Sequence, residues 1–559
     1  MKGILKDNSL QLYLRGGHAE CFSRIKKEEE IMGTHFKCGQ DTIVETVQGK
    51  LKGFYYDGIY AFHGVRYAKA RRFCAPQPIA PWDGVKDALS YGYICPVLNQ
   101  PKPAGEVATP HRFWPASEHC QYLNIWTGSL NRADKKPVLV WFHGGGFSSG
   151  SSIEQVCYEG DRLAQAGDVV VVTVNHRLNV FGFLDMSDFG EDYKNSANAG
   201  IADLVAALSW IKENIAAFGG NPDNVTIFGQ SGGGGKVTAL GQVERADGLF
   251  HKAVIMSGVL SQSMTASDVE PKALVLAILH ELGLEEKDAK ALETVPSQHL
   301  IEAVNRAEKK FLQEGKHIQW APKANDWYKG DPMVVGFSKH SKTVPTMVGT
   351  VLGEFSLEPP VEDKDALTRE ERRRIVAKKY GEEHADEIIR LFKAAYPDKN
   401  EVYACYLDLT FRPDTIDYIK TKAAVSKAPV YSYMFSTVFD YDGGKLAWHC
   451  SDIPFWFHNA GKIPVCQIDG VTWRLEQQMS MALVNFARTG NPNTAGLAWW
   501  EPCNSEHMIT MVFDEQCETR TDYEDELIPY AKKAAPPFRF DPSMFEDDED
   551  EAEGKAWVY

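Results

Sequence analysis

Residues 169–174 read VVVVTV, with no alternation of apolar and polar side chains. A strand with one wet face alternates, so a run like this needs cover on both faces, as in a parallel sheet. The chain repeats the feature at 138–142 (VLVWF), 225–228 (VTIF), 253–256, 344–348, 429–435 and 509–513. Helical periodicity lies between the runs. Over 203–218 (DLVAALSWIKENIAAF), Leu204, Ala207, Leu208, Ile211 and Ile215 share one face, and Gly219-Gly220 ends the pattern. Strands alternating with helices predict an α/β layer architecture with a large, mostly parallel sheet. Two further helical clusters, 270–311 and 363–395, read as insertions that supply pocket walls and a lid. The second opens with a capping box, Thr368-Arg369-Glu370-Glu371.

No internal repeat or Pro/Ser linker divides these elements. One domain over 41–541 is therefore expected, despite a length of 559 residues. A weakly structured extension, 1–40, precedes it, and Met32 reads as an alternative start. An acidic tail, 542–559, follows. The net charge of −16 disfavours nucleic acid as a partner. No apolar run is long enough for a signal peptide or a membrane span. The 11 cysteines are scattered, without a CxxC pair, which favours reduced thiols and a cytoplasmic setting.

The stretch GQSGGGGKV, residues 229–237, admits two uses of glycine. A phosphate-binding loop would need glycine six positions before Lys236 and a hydroxyl after it. Those positions hold Gln230 and Val237, so that frame fails. Gly-x-Ser-x-Gly fits Gly229 to Gly233 directly. It follows a strand and precedes a helical pattern, the context in which a sharp turn presents a nucleophilic serine, Ser231. A serine hydroxyl needs a base, and the oxyanion formed by its attack needs converging N–H donors. His143-Gly144-Gly145-Gly146-Phe147 follows another strand, and such a glycine run is the recognised partner of the serine turn. Gly145, Gly146 and Gly232 are the expected donors, with His143 structural. For the base, His449, His458 and His507 are the late candidates. Only His449 leads into an aromatic segment, so spacing favours it modestly. Among 76 carboxylates, Glu354 stands in a glycine-bearing loop at a strand's end.

With these pieces in place, the chain resembles the type-B carboxylesterase/cholinesterase-like branch of the α/β-hydrolases, over about residues 43–515. SEHCQYLNIW, PVLVWFHGGGFSSG, VNHRLNVFGFL, GQSGGG, GTVLGEF, WHCSDIPFWF and FARTGNPN carry the likeness, in order. The resemblance implies an α/β-hydrolase fold, a Ser231-Glu354-His449 triad, and the oxyanion hole already named. It implies a small-molecule ester as substrate and no metal or cofactor. Phe147, Trp448, Phe455 and Trp456, near the motifs, are candidate pocket residues. Three departures stand out. Gly232 replaces the usual alanine, His119 replaces an acid, and Arg66 enters a Gly-Ile-Pro-Tyr-Ala-like segment, where it could pair with Glu118. Cys95 and Cys120 occupy the positions that secreted relatives bridge; thiols are expected here. Two rivals remain: a non-catalytic binding protein of the same fold, and an amidase or carbamate hydrolase using the same triad.

Overall fold

Eleven strands form one twisted sheet in the computed structural model, which describes residues 36–99, 110–355, 363–441 and 443–536. Met32 and the acidic tail lie outside the described residues. In chain order the strands are β1 (Phe54–Tyr56), β2 (Ile59–Arg66), β3 (Tyr122–Thr127), β4 (Lys136–Phe142), β5 (Val170–Val174), β6 (Gly220–Gln230), β7 (Lys252–Met256), β8 (Thr346–Val351), β9 (Val430–Phe435), β10 (Ile509–Phe513) and β11 (Glu518–Thr521). The spatial order is β11-β10-β9-β8-β7-β6-β4-β5-β3-β2-β1. From β5 through β10 every pairing is parallel. Antiparallel strands complete both edges.

The unalternating runs have the expected cause. Along β4, Val138, Val140 and Phe142 enter one core while Leu139 and Trp141 enter the other. Leu204, Leu208 and Ile211 of helix α1 (Ala199–Asn214) cover the first face. Met479, Leu483 and Phe486 of a later helix, Thr472–Thr489, cover the second. Each side chain so buried stabilises the fold by roughly 1.5–3 kcal/mol.

α1 starts and stops four residues earlier than the periodicity predicts. Gly200 permits the early start: a Cβ there would lie 2.6 Å from the Arg177 carbonyl, so only glycine lets the helix press in. At the other end the helix tightens into a 3₁₀ turn, Ile215–Phe218, closed by Gly219 at φ +75°. The insertions are helical as read, with Pro271–Glu281 and Ser297–Gln313 in the first, and Arg369–Tyr380 and Ala385–Ala395 in the second. The Thr368–Glu371 capping box is formed.

Arg66 does not pair with Glu118. Its Nε donates to the Ala68 carbonyl at 3.1 Å. Buried Arg72 takes Glu118 instead, in a two-pronged ion pair whose Nε···Oε2 distance is 2.7 Å. Cys95 and Cys120 lie buried as free thiols. No helix among the described residues is long and apolar enough to cross a membrane.

Candidate active site

The carboxyl ends of parallel strands are where an α/β sheet opens a crevice. Ser231 follows β6 directly and Ser257 follows β7. Glu354 lies three residues beyond β8, and the HGGG loop follows β4. Three features read from sequence, Ser231, Glu354 and the HGGG loop, therefore meet at one edge, together with Ser257.

Ser231 has φ +56° and ψ −127°, a conformation L-residues rarely adopt. The turn is enforced by close packing. A Cβ on Gly229 would sit 2.5 Å from the Gly233 carbonyl carbon, and one on Gly233 would sit 2.0 Å from the Phe142 carbonyl oxygen. The Ser231 N–H donates to the Met256 carbonyl at 2.8 Å, which ties the bend to β7. Helix α2 (Gly232–Leu240) starts immediately after the serine, so its positive end faces the place where negative charge would develop.

Glu354 and His449 come from loops that zip together. The Gly353 N–H donates to the Ala447 carbonyl at 2.8 Å, and the His449 N–H to the Glu354 carbonyl at 3.0 Å. Their side chains meet at 2.5 Å, Glu354 Oε2 to His449 Nδ1. The other carboxylate oxygen accepts the Val351 N–H at 3.0 Å. The Ser257 hydroxyl adjoins this carboxylate and favours its charged form, though its geometry falls short of a formed hydrogen bond. Burial dominates nonetheless: it pushes Glu354 up to about 8 and His449 down to about 4. Oε2 and Nδ1 lie so close that protonation of one group changes the other, so they titrate as a pair. Phe411 stacks on the imidazole at 5.5 Å and 9°, and Phe355 lies 4.1 Å from it.

Gln230 links this pair to the serine turn. Its amide nitrogen lies 3.3 Å from each nitrogen of the His449 ring, and its oxygen accepts the Cys450 thiol at 3.1 Å. With Nδ1–H committed to Glu354, the Nε2 lone pair is the ring's free acceptor, and the Gln230 amide lies beside it. Among the described residues Ser231 Oγ makes no hydrogen bond; the residue before it, Gln230, is the one that touches the imidazole. Hydrogen bonds between a catalytic serine and its base often tighten only when substrate binds. His458 and His507 are elsewhere, the first bonded to Ser480 and the second to Asp522.

The three expected oxyanion donors have N–H groups that donate to no described residue. Gly145 and Gly146 adopt φ +78° and +60°. A Cβ on Gly232 would fall 2.1 Å from the Gly146 carbonyl oxygen, so the loop and the serine turn are pressed together. His143 is buried and stacks on His176 at 5.1 Å, a structural place as expected.

The aromatic candidates divide. Phe147 lies over the first turn of α2, its ring edge-on to Phe183 at 5.2 Å. Trp448 lines a small cavity with Pro110, Cys157, Cys450 and Cys466, to which neither Ser231 nor His449 contributes. Phe455 and Trp456 are a correction: both are fully buried, packed against Phe435 and against Tyr433 and Phe513 respectively. They serve the core on the sheet's second face, which the one-turn helix Ile453–Trp456 joins. Sequence reasoning missed Gln230, Ser257, Phe355 and Phe411. Gln230 was in plain view as the spacer of Gly-x-Ser, and Ser257 ends a strand; the phenylalanines carry no local signal.

Residues 40–530 match the Carboxylesterase family. Para-nitrobenzyl esterase of Bacillus subtilis (strain 168) is 32% identical over 500 residues, covering 87% of this chain and 97% of the relative. Phenmedipham hydrolase of Pseudarthrobacter oxydans is 30% identical over 511 residues, covering 86% and 97%. Among solved structures, an esterase from anaerobic Clostridium hathewayi that can hydrolyze aliphatic aromatic polyesters superimposes with a TM-score of 0.87 at 48% identity. That match covers 90% of this chain and all of the other.

Proposed function

The chain belongs to the carboxylesterase family and is a carboxylic ester hydrolase of α/β-hydrolase fold; from that premise we propose that Ser231, Glu354 and His449 are its catalytic triad and that the N–H groups of Gly145, Gly146 and Gly232 form its oxyanion hole. The observation that carries this reading is the convergence at one sheet edge: a strained serine whose chain neighbour Gln230 touches an imidazole, itself held by a buried glutamate at 2.5 Å.

His449 Nε2 takes the Ser231 proton as Oγ attacks the ester carbonyl, and the carbonyl π pair moves to oxygen. The resulting oxyanion rests on the three N–H groups. Collapse breaks the bond to the leaving alcohol, which receives the proton from His449, and leaves an acyl-serine. Water, deprotonated by the same nitrogen, attacks the acyl carbon; its collapse releases the acid and returns the proton to Ser231. Glu354 holds the ring in the Nδ1–H tautomer and stabilises the imidazolium in between.

The substrates are small, moderately apolar esters. Phe355 and Phe411 beside the imidazole favour an apolar or aromatic group there. The 48% identity to an esterase described as hydrolysing aliphatic aromatic polyesters points the same way. The adjoining free thiols Cys95 and Cys120 support a cytoplasmic setting. The test is p-nitrophenyl butyrate turnover by the wild type and Ser231→Ala. Loss of turnover beyond the about 10²–10³ of a single oxyanion donor is expected. Retained turnover in the variant contradicts the assignment.

A further inference from the structure

Lys236 is fully buried in α2, five residues after the nucleophile, and the hydrolytic steps above do not use it. Its Nζ donates to the His143 carbonyl at 2.8 Å and to the Gly144 carbonyl at 3.4 Å. Both carbonyls belong to the HGGG loop. The Gly144 carbonyl also has His143 Nδ1 at 3.0 Å. A trans peptide directs its C=O and the following N–H in opposite senses. Pulling the Gly144 carbonyl down onto Lys236 therefore turns the Gly145 N–H away from the lysine. The loop's other side faces the serine: a Cβ on Gly144 would sit 3.4 Å from Ser231 Cβ.

We propose that Lys236 is a positioning residue of the oxyanion hole, holding the HGGG loop by two carbonyls so that the N–H of Gly145 faces the oxyanion that forms on the acyl group at Ser231. The inference rests on the triad and oxyanion assignment given above. The surroundings suit a permanent tether. Lys236 Nζ lies 6.0 Å from the Phe147 ring centre, and half-buried Glu154 is the acid that favours its charge. His143 and His176, whose imidazoles pack nearby, are held neutral by burial and by the lysine itself. Burial lowers Lys236 to about 7. A neutral amine still carries two N–H donors, so the tether survives deprotonation. Neutral glycines at 145 and 146 allow the loop many conformations; a fixed anchor beneath them removes that freedom before substrate arrives.

The test compares the wild type with Lys236→Met, which keeps the length and apolar stem but no donor. Thermal melts check folding, and p-nitrophenyl butyrate gives kcat and KM. An aliphatic trifluoromethyl ketone, which forms an oxyanion adduct with the serine, is compared with the matching amide, which does not. The expected result is a kcat lower by about 10- to 100-fold, less than or comparable to loss of a whole donor. KM and amide affinity stay within about threefold, and trifluoromethyl ketone affinity falls in step with kcat/KM, as differential binding requires. Wild-type kcat and undiminished trifluoromethyl ketone affinity in the variant overturn the proposal. So does an equal loss of affinity for ketone and amide, which would mean a general structural role. Should Lys236→Met fail to fold, Lys236→Gln, which keeps an N–H donor on a shorter side chain, is read by the same selectivity ratio. Failure of the triad reading is distinguishable: it appears as full activity in Ser231→Ala, whatever position 236 does.

Discussion

Gly232→Ala tests the geometry of the oxyanion hole with one methyl group. The added Cβ would lie 2.1 Å from the Gly146 carbonyl oxygen and 2.4 Å from that residue's Cα and carbonyl carbon. Bonded neighbours aside, Cβ contacts below 3.0 Å are essentially unknown, so the loop must retreat by about 0.9 Å. The obstructing atoms are main chain, and no flexible side chain can move aside instead. Gly146 carries one of the proposed donors, and Gly232 another. A misplacement of about 1 Å at reacting groups costs on the order of 10²-fold in rate, the lower end of losing one donor outright. The variant should therefore fold, bind ester with little change in KM, and turn over about a hundredfold more slowly. Steady-state kinetics on p-nitrophenyl butyrate, with a thermal melt as control, reads both quantities. A variant with wild-type kcat would refute the reasoning: the loop would then have room that its packing denies. The comparison is informative because relatives of this type commonly carry alanine there. In this chain Gly232 and a close-lying Gly146 loop go together.

Three other outcomes follow from the site. Because burial raises Glu354 and lowers His449, the pair holds its extra proton at low pH and must lose it to act as base. kcat/KM should rise with pH, half-complete near 8 where the pair gives up that proton, and level off above about 9; a flat profile between about 6 and 9 contradicts the coupling. Glu354→Gln replaces an acceptor with an amide that can donate to Nδ1, which favours the Nε2–H tautomer and removes the base. A kcat loss of about 10⁴-fold is expected with the fold intact by circular dichroism, and a loss under tenfold would remove Glu354 from the triad. Away from the chemistry, Arg177 pairs with Asp203 at 2.7 Å, both fully buried. Arg177→Met strands a carboxylate in the core and should cost about 3–5 kcal/mol in urea unfolding; a change below 1 kcal/mol would mean that Asp203 finds another partner.

Glycine made most of the site readable. Ser231 and the HGGG loop stand out because main chain must approach main chain there, and no other residue type permits it. The sheet was readable for a similar reason: VVVVTV has no polar side to show to water. The acid and base were different. Local pattern favours Glu354 and His449 only modestly over other carboxylates and histidines, because their pairing is made by two loops 95 residues apart; resemblance settled the choice. Phe455 and Trp456 were misread because an aromatic residue near a motif packs inward or outward with the same composition. Arg72 holds the partner read for Arg66 for a related reason, since which arginine reaches Glu118 depends on the fold around it. Gln230 read only as a spacer and Lys236 only as a failed phosphate-loop lysine; their side chains gain meaning beside the imidazole and the loop.

The central claim is that position 231 bears the nucleophile. Incubation of the intact protein with a fluorophosphonate, followed by proteolysis and mass spectrometry, tests it most directly. The account predicts one stoichiometric adduct on the peptide containing Ser231, absent from Ser231→Ala and strongly slowed in His449→Ala. An adduct on a different residue, or none while esters are still being hydrolysed, would contradict it.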